Sequence, residues 1–166
     1  MSLQTLIDEN RRAIEAEPVK AKALFSVRGD LVGVTEVDVT SRQHSVKVDE
    51  PPTLGGKDAG ANPVEHALIA LASCQAITYR FWAEKLGIEL EGLEVTAEGD
   101  LDVRGFFGFD ESVRPGFTAV RLEITPSGPE SAERYQELAE AVDAHCPVLD
   151  LFSNQTPVER RIAVTV

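Results

Sequence analysis

The feature that most constrains this chain is a predicted helix that is apolar on every side. Asn62 and Pro63 mark its start, since Asn caps helix N-termini and Pro suits the first helical position. The pattern continues to about Leu86, and Gly87 ends it. Every residue in 67–72 is apolar, and a helix without a polar face is buried on all sides. So few strands can hardly cover such a helix, and we expect a second subunit to do so.

Shorter patterns flank this helix and predict the remaining elements. A preceding amphipathic helix over residues 2–17 ends at Pro18. Period-two alternation, turn residues and i, i+3, i+4 spacing predict the other segments. These are strands at about 21–27, 31–39 and 45–49, with Arg28-Gly29-Asp30 as a turn, a loop over 50–62, a strand over 93–103, a loop over 104–116, a strand around 120–124, a helix over 129–144 ended by Cys146-Pro147, and a strand over 158–166. The order indicates an α+β fold, with an antiparallel sheet packed on two main helices.

Charge and length exclude several classes of function. The 166 residues fit one domain, and 28 acidic against 16 basic residues give a formal charge of −12. Nucleic-acid binding needs a basic surface, and an anionic membrane would repel this chain. Leu6-Ile7 is followed at once by charged residues, so we expect no signal peptide, and no apolar run is long enough for a membrane span. We expect a cytoplasmic protein.

Two cysteines, Cys74 and Cys146, are the residues most able to carry chemistry. With three scattered histidines they match no zinc-binding pattern, so we expect neither a metal nor a cofactor. A reducing cytosol disfavours a permanent disulfide. Two interpretations remain open, namely two inert buried thiols or a redox pair.

Taken alone, Cys74 is better interpreted as a packed, inert side chain, because apolar surroundings disfavour a thiolate. To react it needs a nearby cation, and Arg28 is a candidate. Glu65 lies nine residues before Cys74, a half-turn offset with a rise of ~13 Å, so the two cannot touch within one straight helix. If they share a site, Glu65 comes from another chain or the helix bends. A simpler role for Glu65 is to favour the helix dipole. His145 is a weak candidate base for Cys146, because adjacent helical residues point in different directions.

Residues 62–74 resemble the helix motif of the OsmC/Ohr family. They run Asn-Pro-Val-Glu-His-Ala-Leu-Ile-Ala-Leu-Ala-Ser-Cys, with Pro and Glu at the start, a small and apolar run, and then the reactive Cys. Residues 145–148, His-Cys-Pro-Val, resemble the second Cys-Pro element, and Leu-Gly-Gly at 54–56 also fits. The resemblance leaves residues 1–18 as an N-terminal helical extension of an OsmC-like domain over 19–166. Val64 stands where the Ohr branch has its acid, so Glu65 fits the broader OsmC-like branch.

The resemblance implies an intertwined homodimer with a central buried helix and sites at the subunit interface. It implies a thiol-dependent peroxidase of the oxidative stress response that reduces organic hydroperoxides. Cys74 would be the peroxidatic cysteine and Cys146 the resolving one, while Glu65 would pair with an Arg for which Arg28 is the best positional match. A dithiol reductant, by analogy a lipoyl protein, would reset the Cys74–Cys146 disulfide. The alternatives are a non-catalytic OsmC-like protein that binds a small hydrophobic ligand at the dimer interface, and a purely structural dimer.

Overall fold

The computed structural model describes residues 2–164, and its elements confirm the predicted α+β class. In chain order they are α1 Leu3–Ala16, β1 Arg28–Leu31, β2 Val37–Ser41, β3 His44–Val48, α2 Pro63–Leu86, β4 Gly92–Asp100, α3 Val103–Phe107, β5 Ala119–Ser127, α4 Ala132–Asp143 and α5 Pro147–Ser153. Two single turns of 3-10 helix, Pro18–Ala21 and Pro52–Leu54, lie between them. No described helix has the length and apolar character needed to cross a membrane.

The chain divides into two compact units, and the divisions fall inside α2, β4 and β5. The first unit extends to residue 72 and includes residues 96–124. The second comprises residues 73–95 and the chain from residue 125 onward. Both cysteines therefore belong to the second unit.

The first unit contains an antiparallel sheet in the order β1-β2-β3. Arg28 pairs with Thr40 in β1 and β2. The predicted turn at residues 28–30 is therefore wrong, since these residues form β1. The true turn follows, because the N–H groups of Val32 and Gly33 both donate to the carbonyl oxygen of Glu36, at 2.8 and 3.2 Å. This reversal interrupts the strand predicted over residues 31–39, and residues 22–27 form no strand.

The loop before α2 is organised around the buried carboxylate of Asp49, which is 1% exposed. Its Oδ1 accepts hydrogen bonds from the Thr35 hydroxyl at 2.6 Å and from the N–H of Glu50 at 2.9 Å. Its Oδ2 accepts from the N–H groups of Lys57 at 2.8 Å and Ala59 at 3.2 Å. The Thr35 bond, followed by the Lys57 bond, lowers the pKa of Asp49 from its ordinary 3.8 to about 2. Sequence patterns did not predict this cluster.

Helix α2 begins and ends as predicted. Asn62 and Glu65 form a reciprocal cap, with the Glu65 N–H donating to Asn62 Oδ1 at 2.9 Å and the Asn62 N–H to Glu65 Oε2 at 2.8 Å. Gly87 follows the helix with a φ of 63°, which Gly adopts without strain. Within this one chain α2 is not buried on every side, since Ile69 and Ile77 are 51% and 60% exposed.

The second unit has a small core to which α4 contributes Leu138 and Val142. The helix predicted over residues 129–144 is α4, and Ser131 caps it by accepting a hydrogen bond from the Arg134 N–H at 3.3 Å. The expected strand over 158–166 is not formed at residues 158–164, and residues 165 and 166 lie outside the described part of the chain. A strand requires a neighbour for its backbone hydrogen bonds, and no described strand pairs with this segment. Its apolar side chains are exposed, namely Val158, Ile162 and Val164.

Candidate cysteine site

Cys74 and Cys146 lie side by side although 72 residues separate them in the sequence. Both are free thiols, and their Sγ atoms are 3.5 Å apart, with the Cys146 S–H donating to the Cys74 sulfur. Cys74 is half-buried on α2, and Cys146 immediately precedes α5. The structure therefore brings together the two residues that the sequence singled out.

Local backbone signals hold Cys146 between two helices. Helix α4 ends at Asp143, and Cys146 has an extended backbone, with φ of −82° and ψ of 111°. Pro147 then starts α5, because its fixed φ suits a first helical position. The Cys146 carbonyl oxygen accepts the first helical hydrogen bond, from the Asp150 N–H at 3.0 Å. From the sequence, Cys146-Pro147 was predicted only to end a helix, and α5 was not predicted.

Burial makes Cys146 a poor acid. Its side chain is 2% exposed, and burial raises the pKa of its thiol. The backbone N–H of Leu149 acts in the opposite direction, while the neighbouring Cys74 sulfur raises the pKa further. Cys146 is therefore a protonated donor at neutral pH.

The residue next to Cys146 makes an aromatic contact with α2. The His145 ring packs on Trp82 of α2, with centroids 4.1 Å apart and ring planes tilted by 35°. His145 Nδ1 donates to the Ala141 carbonyl oxygen at 2.7 Å, and Lys85 Nζ lies 3.7 Å from the centroid of the Trp82 ring. From the sequence, His145 was a candidate only as a base for Cys146, and its contact with Trp82 was not predicted.

Cys146 also lines a cleft of about 480 Å³ with a polar rim. One rim carboxylate, Asp143, has a pKa raised by burial. The cleft is lined by Asp143, Ala144, His145, Cys146, Pro147, Leu149, Asp150, Ser153 and Asn154.

The two charged residues predicted to assist Cys74 belong to the first unit. Arg28 lies on β1 with a side chain that is 78% exposed, and it pairs with Asp30 at 2.8 Å. The hydrogen bond to Asp30 raises the pKa of the Arg28 guanidinium. The Glu65 side chain caps the start of α2, where it accepts a hydrogen bond from the Asn62 N–H. Their proposed roles beside Cys74 stay predictions.

A second cleft, of about 540 Å³, lies beside Glu65 in the first unit. Its walls are otherwise apolar, and it is lined by Ala61, Glu65, Leu68, Ile69, Ala72 and Ala97. An apolar ligand would find complementary side chains here.

Gln75, next to Cys74, is a buried polar residue that the sequence analysis did not single out. It is fully buried, and neither its Oε1 nor its Nε2 has a hydrogen-bond partner in the described part of the chain. Residues 2–164 also contain no group of three or more His, Cys, Asp or Glu side chains arranged to hold a metal ion.

Comparisons with known proteins identify the family. The family model described as "OsmC-like protein" matches residues 55–161. An OsmC-like protein from Mycoplasma pneumoniae superposes with a TM-score of 0.69 at 19% identity, covering 80% of this chain and 89% of that one. An organic hydroperoxide resistance protein OsmC from Legionella pneumophila gives 0.59 at 23% identity, covering 79% and 91%. One from Elizabethkingia anophelis gives 0.62 at 21% identity, covering 78% and 88%. No curated protein sequence matches the chain. The matched segment holds both cysteines and most of the chain, which therefore belongs to the OsmC-like protein family.

Proposed function

We propose that this protein is a thiol-dependent peroxidase that reduces organic hydroperoxides with Cys74 and Cys146. The observation that carries the proposal is the 3.5 Å separation of the two Sγ atoms in a family whose members include organic hydroperoxide resistance proteins. There is no functional reason for two inert thiols to lie in contact when they are 72 positions apart in the sequence. A redox pair requires that proximity.

The proposed reaction has three balanced steps. The Cys74 thiol loses its proton, and the thiolate attacks the terminal oxygen of the hydroperoxide. The O–O bond breaks, Cys74 becomes a sulfenic acid, and the departing alkoxide takes up a proton and leaves as the alcohol. Cys146 then attacks that sulfur, so an S–S bond forms and water leaves. An external dithiol reduces the disulfide by exchange and is itself oxidised.

The environments of the two sulfurs support this division of roles. Cys74 is the more exposed thiol, as a residue that meets an external substrate must be, and it accepts the hydrogen bond from Cys146. Cys146 is buried and protonated, so it does not compete for the peroxide. The Cys146 sulfur already lies 3.5 Å from the Cys74 sulfur, which is the atom that becomes the sulfenic acid.

We propose that the active form is a cytoplasmic homodimer. The apolar side chains that α2 leaves exposed in one chain, which include Ile77 and Phe81, support cover by a second copy. In that assembly Arg28 is proposed to stabilise the Cys74 thiolate and Glu65 to orient Arg28. The net charge of −12 gives no support to nucleic-acid or membrane partners.

Peroxide consumption tests the proposal directly. We expect the wild-type protein to consume cumene hydroperoxide in the presence of dithiothreitol, and Cys74→Ser to have no activity above background. Cys146→Ala should perform a single turnover and accumulate a sulfenic acid on Cys74. Equal consumption by the wild type and Cys74→Ser would refute the proposal.

The apolar cleft beside Glu65 favours a second candidate, a protein that binds a small hydrophobic ligand. Binding of this kind needs no thiol chemistry. A Cys74→Ser, Cys146→Ala double variant would then bind an environment-sensitive apolar fluorophore as tightly as the wild type, while neither protein consumed peroxide. Loss of fluorophore binding in Ile69→Glu, with binding retained in the double cysteine variant, would locate the ligand in this cleft.

A further inference from the structure

The sulfur atoms of Cys74 and Cys146 are near each other but not at bonding distance. Their separation is 3.5 Å, and a disulfide requires about 2.05 Å, so they must approach by about 1.5 Å. Cys74 lies within the long helix α2. Cys146 belongs to residues 144–146, the linker between α4 and α5. The linker is therefore the part whose position decides how readily the bond forms.

Among the described residues, two contacts join this linker to α2. One is the cysteine pair itself, and the other is the stack of His145 on Trp82, with centroids 4.1 Å apart. Trp82 lies eight residues after Cys74 on the same helix, a rise of ~12 Å. Because His145 and Cys146 are consecutive, the stack limits where Cys146 can lie.

Both rings of the stack are themselves held. His145 Nδ1 donates to the Ala141 carbonyl oxygen on α4 at 2.7 Å, which restricts rotation of the imidazole. Lys85 Nζ packs over the Trp82 ring at 3.7 Å from its centroid. Trp82 is half-buried, whereas His145 is exposed. Because both rings make further contacts, we interpret the Trp82–His145 contact as a specific structural contact.

We propose that the Trp82–His145 stack is a positioning device that keeps Cys146 in register with Cys74 for disulfide formation. This inference rests on the proposed peroxidase function and adds to it two residues that touch neither the peroxide nor the reacting sulfurs. The step it serves is the attack of the Cys146 sulfur on the Cys74 sulfenic acid, which forms the S–S bond and releases water. The preceding attack on the peroxide does not use Cys146 and so does not depend on the stack.

If the Cys146 thiol condenses more slowly with the Cys74 sulfenic acid, the sulfenic acid persists for longer. A sulfenic acid that is not resolved remains open to a second peroxide, which oxidises it to a sulfinic acid that dithiols do not reduce. Loss of the stack should therefore increase irreversible inactivation at a given peroxide concentration. This outcome separates a positioning role from a purely structural one.

Rapid-quench kinetics test the proposal in the full-length protein. Trp82→Ala and His145→Ala are mixed with one equivalent of cumene hydroperoxide, and sulfenic acid, disulfide and sulfinic acid are followed by mass spectrometry after dimedone trapping. We expect sulfenic acid to form at the wild-type rate and the disulfide to form about 3- to 10-fold more slowly, the range set by the strength of an aromatic pair. In a parallel reaction with excess cumene hydroperoxide, the sulfinic acid fraction should be higher in both alanine variants than in the wild type.

Matched control variants distinguish loss of the ring contact from a general disruption of the fold. Trp82→Phe and His145→Phe keep an aromatic ring at each position and should restore most of the condensation rate. If both alanine variants form the disulfide at the wild-type rate, the proposal is overturned. It is also overturned if the phenylalanine variants are as slow as the alanine variants, because the ring contact would then be irrelevant.

A peroxide-free oxidant keeps this inference separate from the proposed function. Diamide converts two neighbouring thiols to a disulfide without any reaction with peroxide. If the wild type forms no sulfenic acid with cumene hydroperoxide, the peroxidase proposal fails, while slower diamide-driven pairing in Trp82→Ala would still support the positioning role. If the wild type forms sulfenic acid but pairing is unaffected with either oxidant, only the positioning role fails.

Discussion

Formation of the Cys74–Cys146 disulfide should stabilise the protein substantially, because the bond would close a long loop. The Sγ atoms start 3.5 Å apart, and the loop contains about 73 residues. Cross-linking a loop of this size removes conformational entropy from the unfolded chain worth about 4 kcal/mol at 25 °C. For a protein of this length, about 2–4 °C of melting temperature corresponds to each kcal/mol, so oxidation should raise Tm by roughly 8–16 °C.

Differential scanning calorimetry measures this shift on reduced protein and on protein oxidised with diamide. Mass spectrometry of peptides establishes that the Cys74–Cys146 bond is complete. Cys146→Ala serves as the control, since it adds no buried hydroxyl and cannot form the bond, and its Tm should not respond to diamide. An oxidised wild-type protein that melts at or below the temperature of the reduced protein would refute the reasoning. Strain in the folded state would then offset the entropic gain.

Three further predictions concern the buried groups. The folded pKa of Asp49, about 2, lies below its ordinary 3.8, so the stability it contributes is present above pH ~4 and is lost as the pH falls toward 2. Urea unfolding across that pH range should show this loss in the wild type and not in Asp49→Asn, which should also be less stable at pH 7. Gln75→Met should raise the free energy of unfolding by about 1–3 kcal/mol, because it removes a buried amide without partners, and a loss of stability in urea would contradict this. Leu138→Ala, at a fully buried position, should lower the free energy of unfolding by about 2–5 kcal/mol, measured in the same titration, whereas a change below 1 kcal/mol would show that the site collapses to fill the cavity.

Helix boundaries were the most predictable part of the fold. The start of α2 at Pro63 and its end before Gly87 follow from residues at its ends, because capping and left-handed backbone preferences act over three or four positions. Helices α1 and α4 were also predicted within a few residues. The start of α5 carried such a signal too, Pro147 at its first position, but in the sequence this proline was interpreted as ending α4.

Strands were predicted less well, because a strand exists only against a partner. Residues 28–30 contain Gly and two charges, which locally favour a turn, yet they pair along β2. The alternating segment over 158–164 has strong local strand character and remains unpaired and exposed in the single chain. Neither outcome can be derived from the residues of the segment itself.

The predicted apolar helix is present as α2, although part of its apolar surface is exposed in the single chain. The sequence by itself determined that α2 exists, where it begins and ends, and that it has more apolar surface than one small chain can bury. It also identified Cys74 and Cys146 as the residues able to carry chemistry. Only the tertiary structure decided that the two thiols meet at 3.5 Å, that Cys146 is the buried one, and that the His145 ring beside it packs on Trp82. The physical reason is the distance along the sequence over which each effect acts. Backbone preferences act over a few residues, whereas a contact between residues 72 positions apart depends on packing of the whole unit.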